Sequence, residues 1–323
     1  MSVTESLTTF GRQLSVGGGG VRRGGNGRGR GGGLGGGNNP GQGGGGGGIW
    51  TPSLLSPLPE FWLDADDAST ITITGSGLSE WRSKGATTIE TEQGADLARP
   101  PRATDYQNSR DCINFVPNDV LTPKAGTGKT NCLNNATGGM FYCVFRHAVP
   151  TSGNVFGTLF STRTHSGDAT SNNGAEVQID NNSSNRRLVA RVTSQNSTIA
   201  EVTTNLSLFT INTWALVSIA FDPGNAIASE KIKVRLNDLT QWATNIQTGA
   251  VTATAALAPR IGGRSSLSAA PHPYTGHIAE MIITPGIDSD ANRQRMVGYL
   301  AHRWGLTSLL DVSHPFKSSP PTA

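Results

Sequence analysis

The sequence is short of the residues from which most active sites are made. Three cysteines occur in 323 residues, Cys112, Cys132 and Cys143, without CxxC spacing. An odd, scattered set suggests neither a disulfide framework nor a zinc centre. The six histidines show no metal-ligand spacing, and neither HExxH nor GxSxG is present. Aromatic residues make up only 6% of the chain and charged residues 15%. No run approaches the roughly 18 apolar residues of a membrane-spanning helix. The start, "MSVTESLTTFGRQLSV", lacks the cationic segment and apolar core of an export signal. Synthesis and assembly in a reducing cytoplasm are therefore expected.

Glycine is abundant, and unevenly so: 21 of the 42 glycines lie between Gly17 and Gly48. The charge is uneven too. Residues 1–50 carry Arg12, Arg22, Arg23, Arg28 and Arg30 against Glu5, a net +4, which leaves −1 for the remainder of a chain whose total is +3. The basic balance thus belongs to the arm, and a near-neutral body is no general nucleic-acid surface. As a coil the 32-residue arm would span about 30 Å. Its "RGRGG" and "VRRGG" offer at most weak, salt-sensitive contact with nucleic acid, having no aromatic in the repeat. Ordering 21 glycines costs on the order of 10–20 kcal/mol beyond alanine, which no self-contained segment without side chains offsets and a surrounding assembly can. The chain divides into a short docking peptide (1–16), the arm (17–48), an extended lead-in (49–59), a folded body (60–305) and a surface tail (306–323).

The body reads as all-β. Short runs rich in Val, Ile, Thr and Phe alternate with Asn, Ser and Gly clusters. "MFYCVFRHAV" and "TWALVSIAFD" are apolar on both faces and predict central strands. "KIKVRLND" alternates strictly, predicting a strand with one buried face. Its cationic face could hold an anion, with a solubilising role the simpler reading. "GHIAEMIITPG" is a further strand. One helix is clear in "DSDANRQRMVGYLAHRWGL". Met296, Val297, Leu300, Ala301 and Trp304 share a face, Asp288 or Ser289 caps the start and Gly305 the end. Arg293, Arg295 and Arg303 take the other face. One helix after many strands indicates a β-sandwich with an appended helix.

Few motifs carry chemistry. "PKAGTGKT" has Pro123 where a phosphate-binding loop needs glycine, and a turn-forming sequence follows in place of a helix, so it reads as a surface loop. Glu176 and Asp180 share a strand face by parity, but no converging pair of carboxylates emerges, and no catalytic residue is expected. Asp64, Asp66 and Asp67 in "DADD" are calcium candidates by their oxygen density, as turn-formers also are. Asp168, Asn172 and Asn173, with Asp180, Asn181 and Asn182, form polar loops that could hydrogen-bond a sugar.

Three segments carry a resemblance: "FWLDADDASTITITGSGLSEWRSKG"; "TWALVSIAFD" with "KIKVRLNDL"; and "APRIGGRSSLSAAPHPYTGHIAEMIITPGIDSDANRQRMVGYLAHRWGL" with "HPFKSSPP". Together they resemble the laminin-G-like, or concanavalin A-like, jelly-roll domains of bacteriophage and environmental-virus structural proteins. The resemblance implies a two-sheet antiparallel jelly roll in which the first and last segments lie together and Trp62 and Trp304 are core. The resemblance does not imply one function; taken with the missing export signal, the missing catalytic set and the division into arm and body, it leads to the expectation of a non-enzymatic virion protein: a tail fibre, spike or head-decoration protein, made in the host cytoplasm. Phe10, Leu14, Arg22, Arg23, Arg28 and Arg30 would anchor it to capsid or tail proteins. The body would project as a homo-oligomer, a trimer or other cyclic assembly by analogy, to meet a host glycan or protein. Decoration without receptor binding, a carbohydrate-active enzyme or lectin, and RNA binding through the arm are the alternatives. No cofactor is expected beyond calcium.

Overall fold

The segment from Gly139 to His147 is buried along nearly its whole length, and its place in the fold is the reason. In the computed structural model it is the middle strand of an eight-stranded antiparallel sheet, covered on one face by a second sheet and on the other by a helix. The structure describes residues 48–148, 156–163, 173–180, 186–194, 197–204, 210–241, 243–246, 256–264 and 272–323. Residues Gly46–Ala323 form one compact unit.

In chain order the first strands are β1 (Phe61–Asp64), β2 (Ile71–Thr74), β3 (Gly77–Arg82), β4 (Glu90–Glu92), β5 (Arg102–Gln107) and β6 (Arg110–Phe115). There follow β7 (Thr122–Pro123), β8 (Gly139–His147), β9 (Phe156–Ser161), β10 (Gly174–Asp180), β11 (Arg187–Ser194) and β12 (Ser197–Thr204). The last are β13 (Trp214–Phe221), β14 (Ile232–Leu236), β15 (Leu239–Gln241), β16 (Ala243–Ile246), β17 (Arg260–Ile261) and β18 (Gly276–Pro285), before helix α1 (Asp290–Arg303). The eight-stranded sheet runs β15-β14-β13-β8-β18-β6-β5, with β1 also paired to β18; the six-stranded sheet runs β16-β12-β11-β10-β9-β17; β2-β3-β4-β7 form a four-stranded sheet. The architecture is a jelly-roll β-sandwich with one C-terminal helix.

The inner faces of the two large sheets meet through Phe61, Phe141, Cys143, Val217 and Met281 on one side and Phe160, Val177, Leu188 and Val202 on the other. Phe160 packs against both Phe61 and Phe141, with ring centroids 6.1 and 5.6 Å away. The outer face of the eight-stranded sheet is covered instead by α1 and the chain ends. Trp50, Trp62, Tyr142, Val144, Ile282, Met296, Val297, Leu300 and Trp304 form that second core. Trp62 and Trp304 are thus packing residues. All three cysteines are buried free thiols.

The expected strands are present. β14 alternates buried and wet residues, and Asn237 and Asp238 turn it into β15 at φ of 50° and 63°, the left-handed pair that a tight hairpin needs. Ser289 caps α1 by accepting the Asn292 backbone N–H. The helix differs from expectation in its polar face. Arg295 is exposed, but Arg293 is buried and paired to Asp238 at 3.0 Å, because the β14–β15 turn closes over the start of the helix. The lead-in contains one 3-10 turn, Pro52–Leu54, so it is not fully extended. The two ends of the described body pair: Ile49 bridges Thr322, and the Ala323 N–H donates to the Gly48 carbonyl at 2.7 Å.

Candidate functional site

The carboxylates of "DADD" lie where the first strand meets the end of α1. Asp64 receives Lys84 at 3.1 Å and Arg303 at 2.9 Å; Asp66 receives Arg110 and Arg303; Asp67 receives Lys84 at 2.9 Å. Asp67 also accepts the Ser69 hydroxyl, which with Lys84 lowers its carboxyl to about 2 against a smaller opposing effect of burial. The charge a calcium ion would bring is supplied here by three side chains of the chain itself. Behind them sits Glu280, fully buried. It accepts the indole N–H of Trp62 at 2.8 Å and of Trp304 at 2.7 Å, and the Tyr299 hydroxyl at 3.2 Å, with Arg303 3.3 Å away. Burial first, then Asp64, pushes its carboxyl up to about 7, against Arg303 and the indoles. These contacts lock the first and last segments together and leave the aspartates a structural task. The signal for Glu280 was a lone carboxylate inside an apolar strand.

The sugar-binding candidates fall around β10. Asp168, Asn172, Asn181 and Asn182 lie outside the described residues, as do Phe10, Leu14, Arg22, Arg23, Arg28 and Arg30. Asn173 directly precedes β10. Asp180 differs from the loop position expected for it. It ends the strand, is buried, and is held by Arg187, its cross-strand partner, with Nε at 3.1 Å. Opposite charges at paired positions satisfy one another across a ladder.

Asn173 and Asp180 bound β10, a strand of the six-stranded sheet. Alternation sends Ala175, Val177 and Ile179 inward and Glu176, Gln178 and Asp180 outward. Register then aligns Arg260, Ser161, Glu176, Arg191 and Glu201 in one row across β17, β9, β10, β11 and β12. Glu176 is fully buried among arginines: Arg163 lies at 3.3 Å and Arg191 at 3.9 Å, while Arg191 also pairs with Glu201 at 3.2 Å. Burial lowers the Arg264 guanidinium below its usual range, opposed by Glu176 and reinforced by Arg163 and Arg191. Beside this row Gln178 donates to Thr158 at 2.9 Å and meets His272 at 3.3 Å. His272 also contacts Arg264 at 2.9 Å and stacks on Phe156, with ring centroids 5.2 Å apart. Among the described residues, three atoms of this face are buried with neither a hydrogen-bond partner nor an ion pair: Glu176 Oε1 and the Nε of Arg163 and Arg264. Glu176 and Gln178 are themselves buried, so a polyol ring on this side would meet the partly exposed arginines and the stacked Phe156–His272 pair above them.

Two other surfaces are more nearly satisfied. Tyr106 stacks on His277 at 4.1 Å beside Trp214, and Arg146 is bonded to the Tyr106 hydroxyl and the Asn212 carbonyl, each at 2.9 Å. The cationic face of β14 lines a pocket of about 250 Å³ with Lys233, Arg235 and Arg293. Asp288 and Asp290 line it too, and each cation has a carboxylate: Lys233 with Glu230, Arg235 with Asp290 at 3.8 Å, Arg293 with Asp238. Sequence parity gave the outward direction of Glu176, but Arg163, Arg260 and Arg264 carry no local signal. They reach the face through pairing between distant strands or from the ends of β9 and β17.

No family model matches the sequence, and no curated protein matches it. Among solved structures, the chain is similar to the CBM40 domain of the Ruminococcus gnavus IT-sialidase bound to alpha2,3 sialyllactose. The identity is 13% and the TM-score 0.42, over 56% of this chain and 92% of that one. It is also similar to the binding domain of botulinum neurotoxin serotype D, at 12% identity and a TM-score of 0.47 over 76% of this chain and 53% of that one. A leech intramolecular trans-sialidase matches at 14% identity and a TM-score of 0.37, over 50% of this chain and 23% of that one.

Proposed function

We propose that this protein is a non-catalytic virion structural protein that displays a glycan-binding jelly roll. The observation that carries the reading is the polarity of the body. The chain enters it at Gly48, beside Ala323, within the helix-covered layer. The polar face built on Glu176, Gln178 and Arg191 belongs to the opposite layer. Attachment through the Gly48 end would leave that opposite layer free for a ligand. Residues 1–50 are the anchor to capsid or tail proteins in this reading, and the host cytoplasm is the place of synthesis. The face favours binding over hydrolysis. Glu176 and Asp180 are four residues apart on one strand, about 13 Å, against the roughly 5–9.5 Å of a glycosidase pair. Each is also committed to an arginine.

The test has two arms. The full chain on a glycan array should retain a defined set of sugars, and Arg191→Ala, at a partly exposed position of the face, should lose them; a blank array leaves decoration alone as the role. Protein lacking residues 1–47 should no longer join particles, and normal incorporation would remove the anchoring role.

A further inference from the structure

A pocket of about 220 Å³ opens at the edge of the same sheet, lined by Pro123, Lys129, Thr162, Arg163, Leu257 and Arg260, with Ala258. Among the described residues its charged lining is three cations, with no carboxylate. Arg260 is the telling one. It is partly buried in β17, and among the described residues its side chain has no hydrogen bond or ion pair. Burial alone lowers its guanidinium below the usual range, with no neighbouring charge in compensation. Arg163 is drawn toward Glu176, yet its Nε is buried and unpartnered. Lys129 is exposed at the rim, on the "GTGKT" loop that β-bridging of Thr130 to Leu257 fastens beside Arg260. The contrast with the β14 pocket is sharp, since every cation there has an acid. A partly buried guanidinium without a counter-charge is costly, and an arginine presents a planar fork that matches an oxyanion.

We propose that this pocket, formed by Lys129, Arg163 and Arg260, binds an oxyanion, a sulfate or carboxylate group. The anion comes either as a substituent of an acidic sugar lying across the adjoining face or as a free ion. Only the sugar as source rests on the glycan reading above. Arg260 and Arg163 supply the fork, Lys129 closes the rim, and Thr162 and Leu257 shape the wall.

The experiment uses the full chain in sodium sulfate against sodium chloride at matched ionic strength. Sulfate stabilises proteins generally, so the readout is the difference between native protein and Arg260→Gln. Sulfate should raise the native melting temperature by about 2 °C or more beyond its effect on the variant. Arg260→Lys should keep part of the response. Without sulfate the Gln variant should melt no lower than native, because an uncompensated charge has gone. Lys129→Gln, at an exposed position, gives a second variant whose fold is not at risk, and it should weaken sulfate binding several-fold. Equal responses in native protein, R260Q and K129Q overturn the proposal. A calorimetric arm separates the sources, using a sulfated disaccharide and its unsulfated parent. Binding of the sulfated sugar about tenfold tighter, lost in R260Q, assigns the anion to a glycan. A sulfate response without sugar discrimination keeps the pocket, makes the free ion its ligand, and counts against the glycan reading alone.

Discussion

Glu280 takes three hydrogen-bond donors and a guanidinium while fully buried, and it ties β18 to β1 and to the end of α1. Glu280→Ala would leave the Trp62 and Trp304 indole N–H groups and the Tyr299 hydroxyl without their acceptor, while Arg303 keeps Asp64 and Asp66; each buried donor left unsatisfied costs about 1–3 kcal/mol. Urea denaturation at neutral pH should show that loss. Its carboxyl also affects acid behaviour. In the folded chain it keeps its proton up to about 7, above its usual 4.5. Between those values the folded state binds the extra proton, so this group makes stability fall as pH rises. His277 does the reverse. Burial, then Arg146, depresses it from 6.5 to about 4, so its contribution is present above pH 6.5 and is lost as pH falls toward 4. The unfolding free energy of native protein minus that of His277→Gln should therefore grow by about 3 kcal/mol from pH 4 to 6.5. A flat difference would show that His277 titrates normally.

Among the elements, α1 shows how far local pattern reaches. Its apolar stripe, its Ser289 cap and its Gly305 end are all in the sequence, and all are in the structure. The fate of Arg293 is not, because Asp238 arrives from a hairpin 55 residues earlier. The tail is held by the same helix. A Cβ on Gly298 would stand 2.7 Å from that of Phe316, and His302 meets the Phe316 carbonyl at 2.8 Å. Gly298→Val should push Phe316 off the helix, and limited proteolysis should then cut between residues 311 and 323 faster than in native protein. An equally resistant tail would show that the helix yields instead. The six-stranded sheet has the same division. Alternation set which side chains of β10 face outward, while register chose Arg191 and Arg187 as their partners.

For the whole molecule, the body closes on itself at Gly48 and Ala323. Removing residues 1–47 should leave a folded protein with an unchanged melting temperature by calorimetry, and a marked drop would place part of the body's stability in the arm. The three layers, helix, eight-stranded sheet and six-stranded sheet, give the body two unlike outer sides. One carries both chain ends, and the other carries Glu176 and its arginines.

The sequence by itself determined the strands, the helix with its caps and the separation of a basic glycine arm from a near-neutral body. Each follows from periodicity or composition, which are local. Only the tertiary structure decided what the charged residues do. Asp64 and Asp66 looked like metal ligands until Lys84, Arg110 and Arg303 were brought to them. Lys129 stood in a false phosphate-loop motif until pairing set its loop beside Arg260 and Arg163. A charge interacts over a few ångströms of space, and a sandwich joins residues a hundred or more positions apart, so which charges meet is fixed by strand pairing and is written in no single segment.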